Sequence, residues 1–168
     1  MPRIERSIEI AAPIERVFAF VTDIRNHRRV APPQTREQLL DAGDSPMRAG
    51  TIVRMRARYG GVPWTLAAQI TAFDPPDSSR PHSAYFRDEQ IQGPFAVWKH
   101  DHWFASTPNG GTRLTDRFTY AAPMGPLGKL VERFWLNGRL RHLLEYMQTT
   151  GKRLLEEENC GQAGNQSA

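Results

Sequence analysis

The chain is poor in cysteine and lysine and has no long apolar run. Its one cysteine, Cys160, rules out an intramolecular disulfide and any multi-cysteine metal site. Cys160 follows Glu156, Glu157, Glu158 and Asn159 in a polar stretch. Such a setting offers no packed environment to lower a thiol pKa, so a nucleophilic role is not expected. No stretch approaches the roughly 20 consecutive apolar residues that cross a bilayer, and Met1 to Arg6 lack the apolar run of a secretory signal. The expectation is a soluble, cytoplasmic protein without membrane insertion. No internal repeat interrupts the chain. Lys99, Lys129 and Lys152 are the only lysines, so the net charge of +4 is carried by arginine. Two arginine groups raise the question of nucleic acid: Arg25, Arg28 and Arg29, and Arg54, Arg56 and Arg58. The second group alternates with Val53, Met55, Ala57 and Tyr59, the pattern of a strand with one solvated face, so no nucleic-acid partner is expected.

What is present suffices for one domain. The 168 residues are 39% hydrophobic and 10% aromatic, enough for a proper core. Residues 1–156 are read as the domain and 157–168 as a polar, disordered tail. Arg3 to Ile10 alternates as a strand and gives way to Pro13. Ile14, Val17, Phe18 and Val21 then recur at helical spacing, and a second short helix is expected around Ile24 to Val30, before Pro32 and Pro33. From there to about Ala122, turn residues separate about six antiparallel strands. The last element is helical from about Pro126 to Glu158. Its early apolar residues, Leu127, Leu130, Val131 and Phe134, are out of phase with Leu140, Leu143, Leu144, Met147 and Leu154 by well over a quarter-turn. That mismatch predicts a bend or break at Asn137-Gly138. Strand, two short helices, an antiparallel meander and a long helix make an α+β layout in which the helix covers the sheet.

The most informative stretch is Phe86 to Phe104. Alternate residues put Phe86, Asp88 and Gln90, then Trp98, His100, His102 and Phe104, on one face of a hairpin. Large aromatics mixed with titratable groups suit a cavity with a few convergent polar groups. Trp64, Leu66, Ala68 and Ile70 on one strand, and Leu114, Phe118 and Tyr120 on another, supply apolar lining, with Asp116 on the same inward face. One reading is structural: a buried carboxylate needs partners, and Asp88 beside an imidazole satisfies that need. The other is chemical: a carboxylate-held histidine can move a proton near neutral pH, with His100 or His102 as acid-base group, Asp88 as orienting partner and Gln90 or Tyr120 as donor to a carbonyl. His100 and His102 with Asp88 or Asp116 would also make a three-ligand metal set, but His-x-His on a strand is a weak signal, and no metal or cofactor is assigned. Trp103 falls on the opposite face, where a partner subunit could cover it, so both monomer and homodimer are open.

Three segments together resemble the START-like, helix-grip superfamily. They are Ile8 to Asp23, the Phe-x-Asp-x-Gln-x-x-Gly-Pro-Phe-x-x-Trp-x-His-x-His-x-Phe pattern from Phe86, and Tyr120 to Gly128. The second is similar to a bacterial polyketide cyclase/dehydratase-like ligand-binding subgroup. The resemblance implies a curved antiparallel sheet around a long C-terminal helix. It also implies a small hydrophobic or aromatic ligand, polyketide- or lipid-like, held between them by Trp64, Phe86, Asp88, Gln90, Trp98, His100, His102, Phe104, Asp116, Phe118, Tyr120, Leu130 and Phe134. The same superfold hosts binding and catalysis alike, so the alternative is a cyclase/dehydratase-type enzyme using His100, His102 and Asp88. A third reading is an adaptor whose inner aromatics fill the interior.

Overall fold

A computed structural model describes residues 1–41, 45–59 and 62–165, excepting the side chains of Tyr59 and of residues 160–165. The Tyr59 side chain, the turn expected at Gly60-Gly61, the Cys160 side chain and the last three residues of the expected tail lie outside the described residues.

Strand β1 (Arg3–Ile10) leads through Pro13 into α1 (Ile14–Thr22), whose apolar face buries Ile14, Val17 and Phe18. Helix α2 (Ile24–Val30) follows directly, capped by the Asp23 side chain, which accepts from the Arg25 backbone N–H at 3.0 Å. Pro32 and Pro33 end it in a short 3₁₀ turn. Then come β2 (Gln38–Asp41), β3 (Ile52–Tyr59), β4 (Val62–Asp74), β5 (Ser83–Gln92), β6 (Val97–Ser106) and β7 (Thr112–Ala121). They form the expected six-strand antiparallel meander. With β1 added against β7, the single sheet has the order β1-β7-β6-β5-β4-β3-β2. Irregularities in the β4–β5 pairing, between Ala67 and Ala68 and between Ile70 and Ala72, help bend it.

Helix α3 (Gly125–Val131), a π-helical turn (Glu132–Leu136) and α4 (Asn137–Asn165) complete the fold. The irregularity expected at Asn137-Gly138 falls just before it, in the π turn, and α4 is helical from Asn137 on through Gly138. One extra residue in a helical turn rotates the residues after it by about 100°, which does not bring two sets about 146° apart onto one face. The two sets stay on different faces, and only the later one is buried. Leu140, Leu143 and Leu144 pack under the sheet, whereas Leu127, Leu130, Val131 and Phe134 are exposed. Helix α4 also runs on through residues 157–165, most of the stretch read as a disordered tail. Among the described residues no helix is long and apolar enough to cross a membrane.

Two apolar clusters hold the layers together. One joins α1, α2 and the end of α4 to the sheet through Val17, Phe18, Phe86, Phe104 and Leu155. The other joins the start of α4 to the opposite end through Phe95, Phe118, Tyr120, Leu140 and Leu144. On the sheet's outer face, Arg54, Arg56 and Arg58 are exposed as expected. Trp103 lies there too, but it is covered from within the chain: the Arg117 guanidinium sits 4.4 Å from its ring centre and Tyr85 packs beside it.

Candidate functional site: a cavity walled by two histidines and two aspartates

The hairpin β5–β6 sets Asp88 directly opposite His100, and the β6–β7 pairing sets His102 opposite Asp116. Residues that face each other across an antiparallel pair share one side of the sheet. These four therefore converge beneath α4 at the wall of an internal cavity of about 180 Å³. Most of the remaining wall is apolar, including Trp64, Ala68, Phe86, Phe95, Trp98 and Leu143, with Met147 above.

The two imidazoles lie against each other, ring centres 3.7 Å apart, and are held between the two carboxylates. On one side Asp88 Oδ2 is 3.3 Å from His102 Nε2 and 3.6 Å from His100 Nδ1. On the other, Asp116 Oδ1 is 2.6 Å from His102 Nδ1 and 3.2 Å from His100 Nε2. Neither His102 Nδ1 nor His100 Nε2 has an aligned hydrogen-bond partner, so Asp116 acts on the rings through charge. Neutral donors hold the carboxylates. Gln148 Nε2 on α4 donates to Asp116 Oδ2 at 2.6 Å, and Trp98 Nε1 donates to Asp88 Oδ1 at 3.4 Å. Phe86 stacks on His102 and Phe118 on His100, at 4.0 and 3.8 Å between ring centres.

Crowding of like and unlike charges drives the titrating groups apart. Burial disfavours the imidazolium of His102, but the flanking Asp116 and Asp88 carboxylates outweigh it and push His102 up to about 9. Burial and the neighbouring His102 charge push His100 below its ordinary value. Burial acts to raise both carboxyls. Attraction to His102 and His100 prevails and holds Asp116 well below the usual carboxylate range, with Asp88 lowered in the same sense.

Of the residues read as site residues, Phe86, Asp88, Trp98, His100, His102, Asp116, Phe118 and Trp64 line the cavity. The other five are elsewhere. Gln90 is turned away to clamp the β5–β6 turn: its Nε2 donates to Phe95 O at 2.8 Å and its Oε1 accepts from Phe95 N at 3.3 Å. A side chain at Gly93 would overlap Gln90 Oε1 and Leu66 Cδ1, so the Gln-x-x-Gly-Pro-Phe part of the motif builds the turn. Phe104 is buried behind the cavity, edge-on to Phe18 at 5.2 Å. Tyr120 is fully buried in the second cluster, its hydroxyl without a partner, and it is not among the residues that line the cavity. Leu130 and Phe134 are 58% and 75% exposed, because they lie off the face that Leu140, Leu143 and Leu144 bury. Sequence reading missed Gln148, and with it His27 and Glu37, a 2.5 Å ion pair at the α2 end of the cavity. Gln148 carried a signal, since it lies one turn beyond Leu144 on the buried face of α4.

A curved antiparallel sheet closed by a long C-terminal helix over an apolar cavity defines a START-like helix-grip protein. The chain belongs to the family described as polyketide cyclase / dehydrase and lipid transport, which it matches over residues 1–150. It is 26% identical over 121 residues to an uncharacterized protein of Mycobacterium tuberculosis, Rv0088. That match takes in 71% of this chain and 48% of Rv0088, so the chain spans about half the length of the curated relative it matches. Its backbone is similar to that of TTHA0849 from Thermus thermophilus, with a TM-score of 0.72 at 17% identity over 92% of this chain and 97% of that one. It is also similar to a START superfamily protein of Mycobacterium smegmatis, with a TM-score of 0.66 at 15% identity over 92% and 97%. At these identities the likeness concerns the fold alone.

Proposed function

We propose that the protein binds a small, mainly apolar molecule carrying a hydroxyl or carbonyl group in the cavity under α4. The observation that carries this reading is the contrast between the two parts of the cavity wall. An apolar lining supplies affinity, while Asp88, His100 and His102 are gathered on one side and offer polar contacts that fix orientation. A volume of about 180 Å³ suits a ligand of one or two rings, since a dry cavity of about 150 Å³ admits benzene. Trp64 and Trp98 lie in the wall, so their fluorescence reports occupancy.

Titrating the protein with one- and two-ring phenols and aryl ketones, beside their parent hydrocarbons, tests the reading. Saturable changes in tryptophan emission are expected. They should vanish in Ala68→Phe, which fills the cavity from β4. Asp88→Asn should weaken the oxygenated ligands selectively. Absence of saturation with every compound, or saturation that survives Ala68→Phe, would sink the proposal.

A second reading is acid-base catalysis on the bound molecule, as in cyclisation or dehydration. What favours it is that His100 and His102 both reach the cavity wall while carboxylates back them, an arrangement suited to passing a proton to or from a substrate carbon or oxygen. Turnover of a cyclisable polyketone, abolished in His100→Ala and His102→Ala but not in Phe134→Ser, is the expected sign of it. Unchanged turnover in both histidine variants would remove it.

A further inference from the structure

The two sides of the imidazole pair are not equivalent, and the difference is one of spacing. Two atoms ligating one tetrahedral ion at about 2.0–2.2 Å lie about 3.3–3.6 Å from each other. Asp88 Oδ2 stands at 3.3 Å from His102 Nε2 and 3.6 Å from His100 Nδ1, and one ligand atom from each of the three residues lies within 4.8 Å of the others. On the far side, Asp116 Oδ1 is 2.6 Å from His102 Nδ1, too close for two ligands of one ion and not aligned as a hydrogen bond, so this carboxylate backs the ring through its charge. Carboxylates commonly back metal-bound histidines, and such outer carboxylates are themselves hydrogen-bonded, as Asp116 is by Gln148.

Charge points in the same direction. Asp116 is withdrawn from solvent and Asp88 largely so, and among the described residues neither pairs with a lysine or arginine; their only cationic partners are the two imidazoles. One buried and one half-buried carboxylate with so little fixed positive charge nearby are a favourable place for a cation.

We infer that Asp88, His100 and His102 form a three-ligand site for a divalent first-row transition ion, with Asp116 and Gln148 as its outer support. Two imidazoles and one carboxylate suit zinc or ferrous iron better than magnesium or calcium, which prefer oxygen donors. All three ligands line the cavity, so the remaining coordination positions face the space where a ligand or water would sit. The site goes beyond the binding reading and does not depend on which organic molecule enters.

The test uses untagged full-length protein, stripped with chelator and freed of it by gel filtration. It is then given one equivalent of zinc or cobalt. Metal content after a second gel filtration should approach one ion per chain, and cobalt should give the visible absorption of a four- or five-coordinate nitrogen-oxygen site. Asp88→Asn and His102→Ala should lower zinc affinity by more than about 100-fold, and Asp116→Asn by about 10- to 100-fold with a shifted cobalt spectrum. Circular dichroism checks that each variant is folded. Wild-type protein that emerges metal-free refutes the site without reference to any variant. Stoichiometric binding that is undiminished in folded Asp88→Asn also refutes it, by placing the ion elsewhere. No organic ligand enters these measurements, so their outcome is separate from that of the fluorescence titration.

Discussion

Removing the charge of Asp116 should cost far more than removing that of Asp88, although each carboxylate touches both histidines. Asp116 is 3% exposed and lies 2.6 Å from His102, while Asp88 is less deeply buried and no closer than 3.3 Å to either ring. Breaking a buried ion pair from one side costs about 3–5 kcal/mol, because the partner charge is left behind in low dielectric. Asp116→Asn keeps the side-chain shape and can still accept from Gln148, which places it at the lower end, about 3 kcal/mol. Asp88→Asn, with longer contacts and some solvent, should cost about 1–1.5 kcal/mol. An unfolding entropy of about 2.1 cal/mol/K per residue over 168 residues amounts to about 0.35 kcal/mol/K. The expected falls in Tm are then about 9 °C for Asp116→Asn and about 3–4 °C for Asp88→Asn. Differential scanning calorimetry at pH 7 in the presence of chelator measures both, the chelator ensuring that no bound ion contributes. Equal shifts, or a fall below about 2 °C for Asp116→Asn, would show that Asp116 is not held by charge as the geometry implies.

Other expectations concern the surroundings of the site. The Tyr85 hydroxyl donates to Asp101 at 2.5 Å, and burial first, then that carboxylate, pushes it up to about 12 from an ordinary 10. A raised pKa means that the folded state favours the neutral phenol. Its contribution is therefore complete below about pH 10 and is lost as pH rises toward 12; urea midpoints should fall over that window in the wild type and less steeply in Tyr85→Phe. Gln90→Ala deletes two hydrogen bonds of the β5–β6 turn and should cost about 1–2 kcal/mol in urea denaturation, with ligand affinity falling only insofar as the turn loosens. Leu140→Ala should cost about 2–5 kcal/mol, whereas Phe134→Ser should stay within about 0.5 kcal/mol. Equal costs for that pair would mean that the early apolar set is not left off the buried face as described.

Period-two alternation made much of the sheet legible, because it is a property of single strands that survives folding. Asp88, His100, His102 and Asp116 share a face for that reason alone, and their register follows from short connections between consecutive strands. Alternation gives a face, however, and not what the end of a side chain does. Gln90 has the inward parity of Asp88, yet its amide is spent on the Phe95 backbone, because the turn beside it left that N–H and C=O to be satisfied. Helical periodicity failed in a more instructive way. The mismatch between Phe134 and Leu140 was visible in the sequence, but a mismatch shows only that phase is lost; it does not say which of two apolar sets stays buried. Packing decides that, and it chose the set that could reach Phe118 and Tyr120 across the sheet. The charge pattern of the site was hidden for the same reason. Two aspartates and two histidines in a sequence give no distances, and the difference between 2.6 and 3.3 Å on the two sides of one imidazole separates a supporting carboxylate from a candidate ligand. That difference is set by strand register and by Gln148 reaching down from α4 to fix Asp116. The chemistry of the cavity therefore depends on the docking of a helix whose inward polar residue is the one part of the cluster that strand alternation could not supply.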